Sequence, residues 1–115
     1  MRINYEKNLN ILNSLIIEMG NMVIQSIKGA ITALANKDEV LAQSVMDGDK
    51  EINSLEAQIE ALSFNLLLKE QPVASDLRFV TSAIKLITDL ERIGDHTVNI
   101  AERVYYSITG ENKKD

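Results

Sequence analysis

The chain contains no cysteine, a single proline, a single histidine and only five glycines among its 115 residues. The absence of cysteine excludes disulfide bonds and thiolate metal sites. Because proline and glycine are scarce, few positions can interrupt a helix. No apolar run approaches the ~18 residues that a membrane span needs, and no strand-like alternation of apolar and polar residues is sustained.

A secretory signal and an excess of positive charge are missing as well. The first ten residues, "MRINYEKNLN", lack the apolar segment of a signal peptide, and we therefore expect a cytoplasmic protein without membrane insertion. The net charge of −5 argues against nucleic acid and anionic lipid as main partners. It leaves cations and basic protein surfaces compatible with the chain.

Helical periodicity is the main pattern that is present. Apolar residues recur every three or four positions in three segments, at about residues 5–35, 38–69 and 73–107. Short connections make consecutive helices antiparallel. We therefore predict an all-α, up-down-up three-helix bundle over residues 3–108, with a polar tail at 109–115. The expected core stripes are Tyr5, Leu9, Leu12, Ile16, Met19, Val23, Ile27, Ile31 and Leu34; then Leu41, Val45, Gly48, Ile52, Leu55, Ile59, Leu62 and Leu66; then Leu77, Val80, Ile84, Ile87, Glu91, Gly94, Val98, Ala101 and Tyr105.

Two short polar stretches separate the helical segments. In "ANKDE", Asn36 or Asp38 can cap the second helix, because a short side-chain oxygen accepts from unpaired amides at a helix start. In "KEQPVAS", Pro72 disfavours helical geometry at Gln71 and ends that helix.

Charged residues of the third segment fall into separate strips on a helical wheel. The acidic strip touches the edge of the core, and Glu91 lies on the core stripe itself. His96 lies with the basic strip, so we interpret it as a surface or partner-contact residue. The acidic strip is Glu91, Asp95, Thr88, Asn99 and Glu102; the basic strip is Arg78, Lys85, Arg92, His96 and Arg103, together with Asp89.

Counting from Pro72 brings acidic residues of the second and third segments to the same height. Asp49 lies 23 positions before Pro72 and Asp95 lies 23 after it, while Asn53 and Glu91 both lie 19 positions away. Within each helix the spacing is i, i+4, which places both side chains on one face. The four side chains are expected to converge. Two glycines, Gly48 and Gly94, come nearly level and are expected to allow close approach of the backbones.

Such a gathering of carboxylates costs free energy unless a cation neutralises it. Carboxylate and amide oxygens suit hard or borderline metals such as Mg²⁺, Mn²⁺, iron or Ca²⁺. The alternative is a solvated acidic face in which Arg92 pairs with Asp89 or Asp95. The sequence contains no glycine-rich phosphate loop and no Glu-x-x-His pair, so we expect a protein that is not an enzyme.

Several long stretches resemble the PhoU family, the accessory regulators of bacterial phosphate uptake. They are "EMGNMVIQSI", "MDGDKEINSLEAQIE", "QPVASDLRFV" and "KLITDLERIGDHTVNIAERV", and the similarity covers about residues 3–108. The resemblance implies a three-helix unit that usually occurs twice in one chain. It also implies a cytoplasmic negative regulator of the phosphate-starvation response, with two partners: the ATPase subunit of the phosphate ABC transporter and a phosphate sensor histidine kinase.

The resemblance further implies a metal site of iron, manganese, magnesium or zinc. The metal-binding motif of the family is Glu/Asp-x-x-x-Asp. It is matched by "ERIGD" at Glu91 and Asp95, and its counterpart on the second helix is "DKEIN" at Asp49 and Asn53. The family more often has an acid at the position of Asn53, and an asparagine brings no charge. The remaining motif residues that match, as accessory ligands, are Asn99 and Glu102.

A single repeat is visible, and it resembles the first of the two. Either the chain is a fragment, or it is a short member that forms a two-fold homodimer imitating the tandem arrangement. Three other interpretations remain: a PhoU-like module of another ion or phosphate transport system such as a sodium–phosphate cotransporter, a purely structural helical bundle, and a carboxylate-bridged metalloenzyme.

Overall fold

A computed structural model describes residues 2–69 and 72–110 of the chain. Three helices follow one another: α1 (Arg2–Asn36), α2 (Glu39–Lys69) and α3 (Ala74–Thr109). Each helix packs against the other two, in an elongated bundle of 56 × 26 × 17 Å. The predicted all-α three-helix bundle is confirmed, and α2 runs antiparallel to both of its neighbours.

The α1–α2 connection is a tight turn with a side-chain cap. Lys37 adopts a left-handed conformation with a φ of 52°, and the Asp38 N–H donates to the Ala33 carbonyl at 3.0 Å. The Leu41 N–H then donates to Asp38 Oδ1 at 3.0 Å. Of the two predicted caps, Asp38 is therefore the one that stabilises the start of α2.

Helix α3 begins after Pro72 and Val73 and ends at a left-handed glycine. Gln71, whose geometry was predicted from Pro72, lies outside the described residues. The Tyr5 hydroxyl donates to Asp76 Oδ2 at 2.7 Å and so ties the start of α1 to the first turn of α3. At the other end, the Gly110 N–H donates to the Tyr106 carbonyl at 2.9 Å. The helix therefore includes Thr109, which was expected in the tail, while residues 111–115 lie outside the described part.

The core runs along the bundle axis, but its composition changes from one end to the other. Large side chains fill one part of the core, as predicted; the fully buried ones include Leu12, Met19, Ile59, Leu66 and Ile87. Small side chains fill the remaining part, where Ala30 packs with Ala101 and Val45, and Ala33 packs with Ala42 and Val104.

Three residues predicted in the core stripes are instead exposed. The side chains of Ile31, Leu34 and Leu77 are 61%, 60% and 42% exposed. In α1, Ala30 and Ala33 are buried in place of their larger neighbours Ile31 and Leu34, which were predicted in the core. Steps of three and four residues fit both sets, and the close helix contact selects the smaller side chains.

The predicted close approach at Gly48 and Gly94 is wrong. A Cβ built on either glycine meets no atom within 4 Å apart from its chain neighbours and the backbone of its own helix. The close approach lies at Gly29 of α1, where a Cβ would come within 2.8 Å of Val45 Cγ2. Gly29 therefore sets the spacing between α1 and α2.

Candidate metal centre

Helices α2 and α3 place carboxylates from both elements side by side. Asp49 of α2 lies close enough to Asp95 and Glu91 of α3 for their negative charges to act on it. Burial is the largest cause that raises the pKa of Asp49 above its ordinary value, and these two charges raise it further. Asp49 therefore lies within electrostatic range of Glu91 and Asp95, two of the side chains with which it was expected to converge.

Glu56 is a member of this cluster that the sequence did not single out as a site residue. Burial, a hydrogen bond with Glu91 and the negative charges of Glu91, Glu60 and Asp95 together raise the pKa of Glu56 to about 7. The cluster therefore favours the protonated form of Glu56, whose O–H can donate a hydrogen bond to Glu91. The available signal was its position one turn after Asn53 on the same face of α2.

Asn53 takes part through a contact within its own helix. Its Nδ2 donates to Asp49 Oδ2 at 3.2 Å, and this hydrogen bond lowers the pKa of Asp49, opposing the effect of burial. The counting from Pro72 paired Asn53 with Glu91. In the structure Glu91 is hydrogen-bonded to Glu56, while Asn53 holds one oxygen of Asp49.

The second oxygen of Asp49 gives the structural test of whether the residues fit a metal. Asp49 Oδ1 is buried and has no hydrogen-bond partner, which is an unfavourable state for an acceptor oxygen. The cluster of Asp49, Glu56, Glu91 and Asp95, which we call the carboxylate cluster, supplies only oxygen donors, as Mg²⁺ and Mn²⁺ prefer. Within residues 2–69 and 72–110, no three Asp, Glu or His side chains are already arranged to hold an ion. The residues thus fit a metal in donor type, and binding would require side-chain rearrangement.

The remaining residues of the predicted acidic and basic strips lie around the cluster. Asn99 is exposed and Glu102 is half-buried, one and two turns beyond Asp95 along α3. Arg92 approaches Asp89, with 3.9 Å between Nη1 and Oδ1, so the ion pair considered as an alternative forms with Asp89. His96 is exposed, as expected for a surface residue.

A family model for the PhoU domain matches residues 16–104, a range that contains the whole carboxylate cluster. The chain belongs to the PhoU family. Its PhoU domain covers most of all three helices, from the middle of α1 to near the end of α3.

Curated relatives of this PhoU domain carry the name phosphate-specific transport system accessory protein PhoU or its homolog. The protein of Serratia marcescens is 41% identical over 79% of this chain and 37% of its own length. The Streptococcus pneumoniae homolog is 38% identical over 90% of this chain and 48% of its own. The Clostridium acetobutylicum homolog is 36% identical over 96% of this chain and 51% of its own.

The PhoU domain therefore spans about half, or less, of the length of these relatives. No solved structure matches the chain significantly. In the part of the chain that the structure describes, no helix has the length and apolar character needed to cross a membrane.

Proposed function

We propose that this PhoU domain is a non-enzymatic cytoplasmic regulator of phosphate transport and of the phosphate-starvation response. The observation that carries the proposal is the PhoU match over residues 16–104, supported by relatives whose names place them with the phosphate-specific transport system. The long exposed helix surfaces suit a protein that acts by binding other proteins.

The partners in this proposal are the ATPase subunit of the phosphate ABC transporter and the phosphate sensor histidine kinase. Binding to both would let transport activity repress the starvation response. Self-association into a two-fold homodimer stays a prediction, and sedimentation over a range of protein concentrations checks it.

The second element of the proposal is a metal ion at the carboxylate cluster. Asp49, Glu91 and Asp95 would hold the ion with Asn53 through its carbonyl oxygen, and Asn99 and Glu102 would act as accessory ligands. The ion would supply positive charge that neutralises the cluster and keeps α2 and α3 in register. The buried, unpartnered Asp49 Oδ1 and the raised pKa values of Asp49 and Glu56 support a site that lacks positive charge.

Deletion of the coding sequence in its host tests the regulatory proposal. We expect phosphate-starvation genes to be expressed at high phosphate in the deletion strain and to be repressed again when the wild-type chain is supplied. An unchanged expression level in the deletion strain would reject the regulatory function. A complementing chain carrying Glu51→Gln, an exposed carboxylate of α2 outside the cluster, is the control.

A further inference from the structure

Helix α3 carries a stripe of large apolar side chains that the bundle leaves partly uncovered. These residues recur every seven positions, so they follow one line along the helix. Between 37% and 45% of each side chain is exposed, although these are the sizes that a core normally buries. The stripe consists of Phe79, Leu86, Ile93 and Ile100.

The stripe lies on the side of α3 that borders α1. Gly94 is buried in the bundle. At about 100° per residue, Glu91 lies about 60° to one side of Gly94 and Ile93 about 100° to the other. Glu91 meets Glu56 of α2, so Ile93 is on the opposite, α1 side.

Helix α1 presents exposed apolar side chains along the same groove. Gly29 faces α2, where its Cβ would meet Val45, and Ala30 is buried against Ala101. Ile31 is about 100° further round α1 than Ala30, in the direction away from Gly29, so it lies on the α3 side of α1. Ile24, one heptad earlier, and Leu34, one turn later, border this side as well; the three side chains are 48–61% exposed.

The two sets lie at matching heights, because α1 and α3 are parallel. The Tyr5–Asp76 hydrogen bond and the Ala30–Ala101 contact both join residues 71 positions apart (76 − 5 and 101 − 30). Ile24 and Ile93, and Ile31 and Ile100, are 69 apart (93 − 24 and 100 − 31). These pairs are therefore nearly level. We call the exposed apolar residues on this side the α1/α3 apolar face: Ile24, Ile31, Leu34, Phe79, Leu86, Ile93 and Ile100.

A line of positive charge borders the α1/α3 apolar face. Arg78, Lys85 and Arg92 each precede a residue of the stripe by one position and so lie about 100° round α3 from it, with Arg103 on the same line. Asp89 and His96 lie between this line and the stripe. All four basic residues of the line are exposed, and Asp89 pairs with Arg92 at 3.9 Å. Asp95, three residues after Arg92, is a second acidic neighbour of this line. With two negative charges against four positive ones, the border still has an excess of positive charge in a chain whose net charge is −5.

We propose that the α1/α3 apolar face docks an amphipathic helix of a partner protein, with apolar residues on its inner face and acidic residues beside them. The proposal rests on the proposed function, in which the domain acts through protein contacts. Two parallel helices form a groove that a third helix can fill. From Phe79 to Ile100 the stripe extends ~32 Å, enough for about 22 residues of partner helix. Acidic side chains along its edge would pair with the basic border.

A second copy of the chain fits this face less well. If a two-fold axis brings α3 against α3, the basic border meets itself and the two copies repel each other. If it brings α3 against α1, the border meets the outer side of α1, where Asn21 and Lys28 lie beside Ile24 and Ile31. On the outer side of α1, Glu6 is the acidic residue that shares the line of Ile24, so neither arrangement gives the border a row of acidic counterparts. A partner of opposite charge supplies such a row.

Two synthetic helical peptides of about 25 residues test the proposal by fluorescence anisotropy. Both carry the same apolar heptads; one has glutamates and the other lysines at the flanking positions. We expect the acidic peptide to bind the full chain at least tenfold more tightly than the basic peptide, with an affinity that falls as salt is added. Lys85→Glu/Arg103→Glu and, separately, Ile93→Asn should each weaken acidic-peptide binding at least tenfold.

Matched control variants lie on α2, away from the face. Lys50→Glu reverses an exposed charge, and Val40→Asn removes an apolar side chain that is 80% exposed. Both controls should bind the acidic peptide as the wild type does. Circular dichroism of every variant should show the wild-type helix content, because all the changed residues are exposed.

Four results would overturn the proposal. The first three are an acidic peptide that does not bind, two peptides that bind equally tightly, and an Ile93→Asn variant that binds the acidic peptide as the wild type does. The fourth is a loss of another kind of binding in the face variants. Loss of self-association in sedimentation would assign the face to a second copy, and loss of binding to vesicles of anionic lipid would assign it to a membrane.

The same variants separate this proposal from the regulatory one. If deletion derepresses the starvation genes but the Ile93→Asn chain restores repression fully, the docking proposal fails and the regulatory function stands. If deletion has no effect while the acidic peptide still binds selectively, the regulatory function fails and the docking face stands.

Discussion

The fold disfavours the charged forms of the Glu56 and Asp49 carboxyl groups. Burial acts on both, and the negative charges of Glu91 and Asp95 add to it. The pKa values of both groups are therefore higher in the folded chain than in the unfolded chain. Since the pKa of Glu56 is about 7 when folded, this residue changes charge in the physiological range.

The free energy of unfolding of the metal-free chain should fall as pH rises. A carboxyl group whose folded pKa is raised stabilises the fold fully below its unfolded pKa of about 4.5, and this stabilisation is lost as pH rises through about 7. We expect a fall of about 1–2 kcal/mol between pH 5 and pH 8, since solvent screening reduces the ~1.4 kcal/mol per pKa unit. Urea unfolding in the presence of a chelator measures it.

Glu56→Gln should flatten this pH dependence, and Glu51→Gln, the exposed control on the same helix, should leave it as in the wild type. A stability that rises from pH 5 to pH 8, or a Glu56→Gln variant with the wild-type slope, would contradict the assignment of Glu56 to the cluster.

At this scale the sequence could predict which residues lie level along the bundle axis, but not which side chains contact each other. Equal distances from Pro72 placed Asp49 level with Asp95, because each residue adds the same rise in two antiparallel helices. Counting could not show that Glu91 bonds to Glu56, one turn away from its expected neighbour, because that depends on side-chain length and direction.

At the scale of the helices, the glycines differ in whether the packing leaves room for a side chain. Gly29 lies at the narrowest point between α1 and α2, against the β-branched and therefore stiff Val45. Gly94 has open space where its Cβ would be, in the middle of α3.

Gly29→Ala and Gly94→Ala should consequently change stability in opposite directions. Gly94→Ala should stabilise the chain by about 0.5–1 kcal/mol, because alanine favours the helix and meets no neighbour. Gly29→Ala should destabilise it by about 1–3 kcal/mol, because Val45 or the helices must shift. Thermal unfolding of both variants gives the comparison.

A destabilised Gly94→Ala chain would restore the expectation that α2 and α3 approach closely at Gly48 and Gly94. A neutral or stabilising Gly29→Ala would show that the α1–α2 contact is loose.

The existence and order of the helices could be predicted from periodicity, but the facing side chains could be predicted only in part. Apolar steps of three and four residues fit Ile31 and Leu34 as well as Ala30 and Ala33. The choice depends on the distance between helices, which Gly29 and the alanines themselves set. Leu86 and Ile93 also share the apolar side of the helical wheel, yet they are 45% and 42% exposed.

On the scale of the whole molecule, different surfaces of one bundle suit different roles. The α2/α3 side gathers carboxylates, while the α1/α3 side presents the apolar face with its basic border. A cation at the carboxylate cluster would stabilise the pairing of α2 and α3 that also orients α3 for partner binding. The chain spans about half, or less, of the length of its PhoU relatives.

The measurement that tests the central claim most directly is thermal unfolding of the chelated chain at pH 7.5, with and without Mn²⁺, Mg²⁺, Zn²⁺ or anaerobic Fe²⁺. At least one ion should raise the wild-type Tm by about 5–10 °C, since saturation at 100 times Kd adds about 2.7 kcal/mol. Glu91→Gln/Asp95→Asn should have a higher metal-free Tm, because repulsion is removed, and should respond little to the ion. Glu51→Gln should respond as the wild type does. A wild-type Tm that no ion raises, or an equal rise in the double variant, would contradict a metal site at the carboxylate cluster.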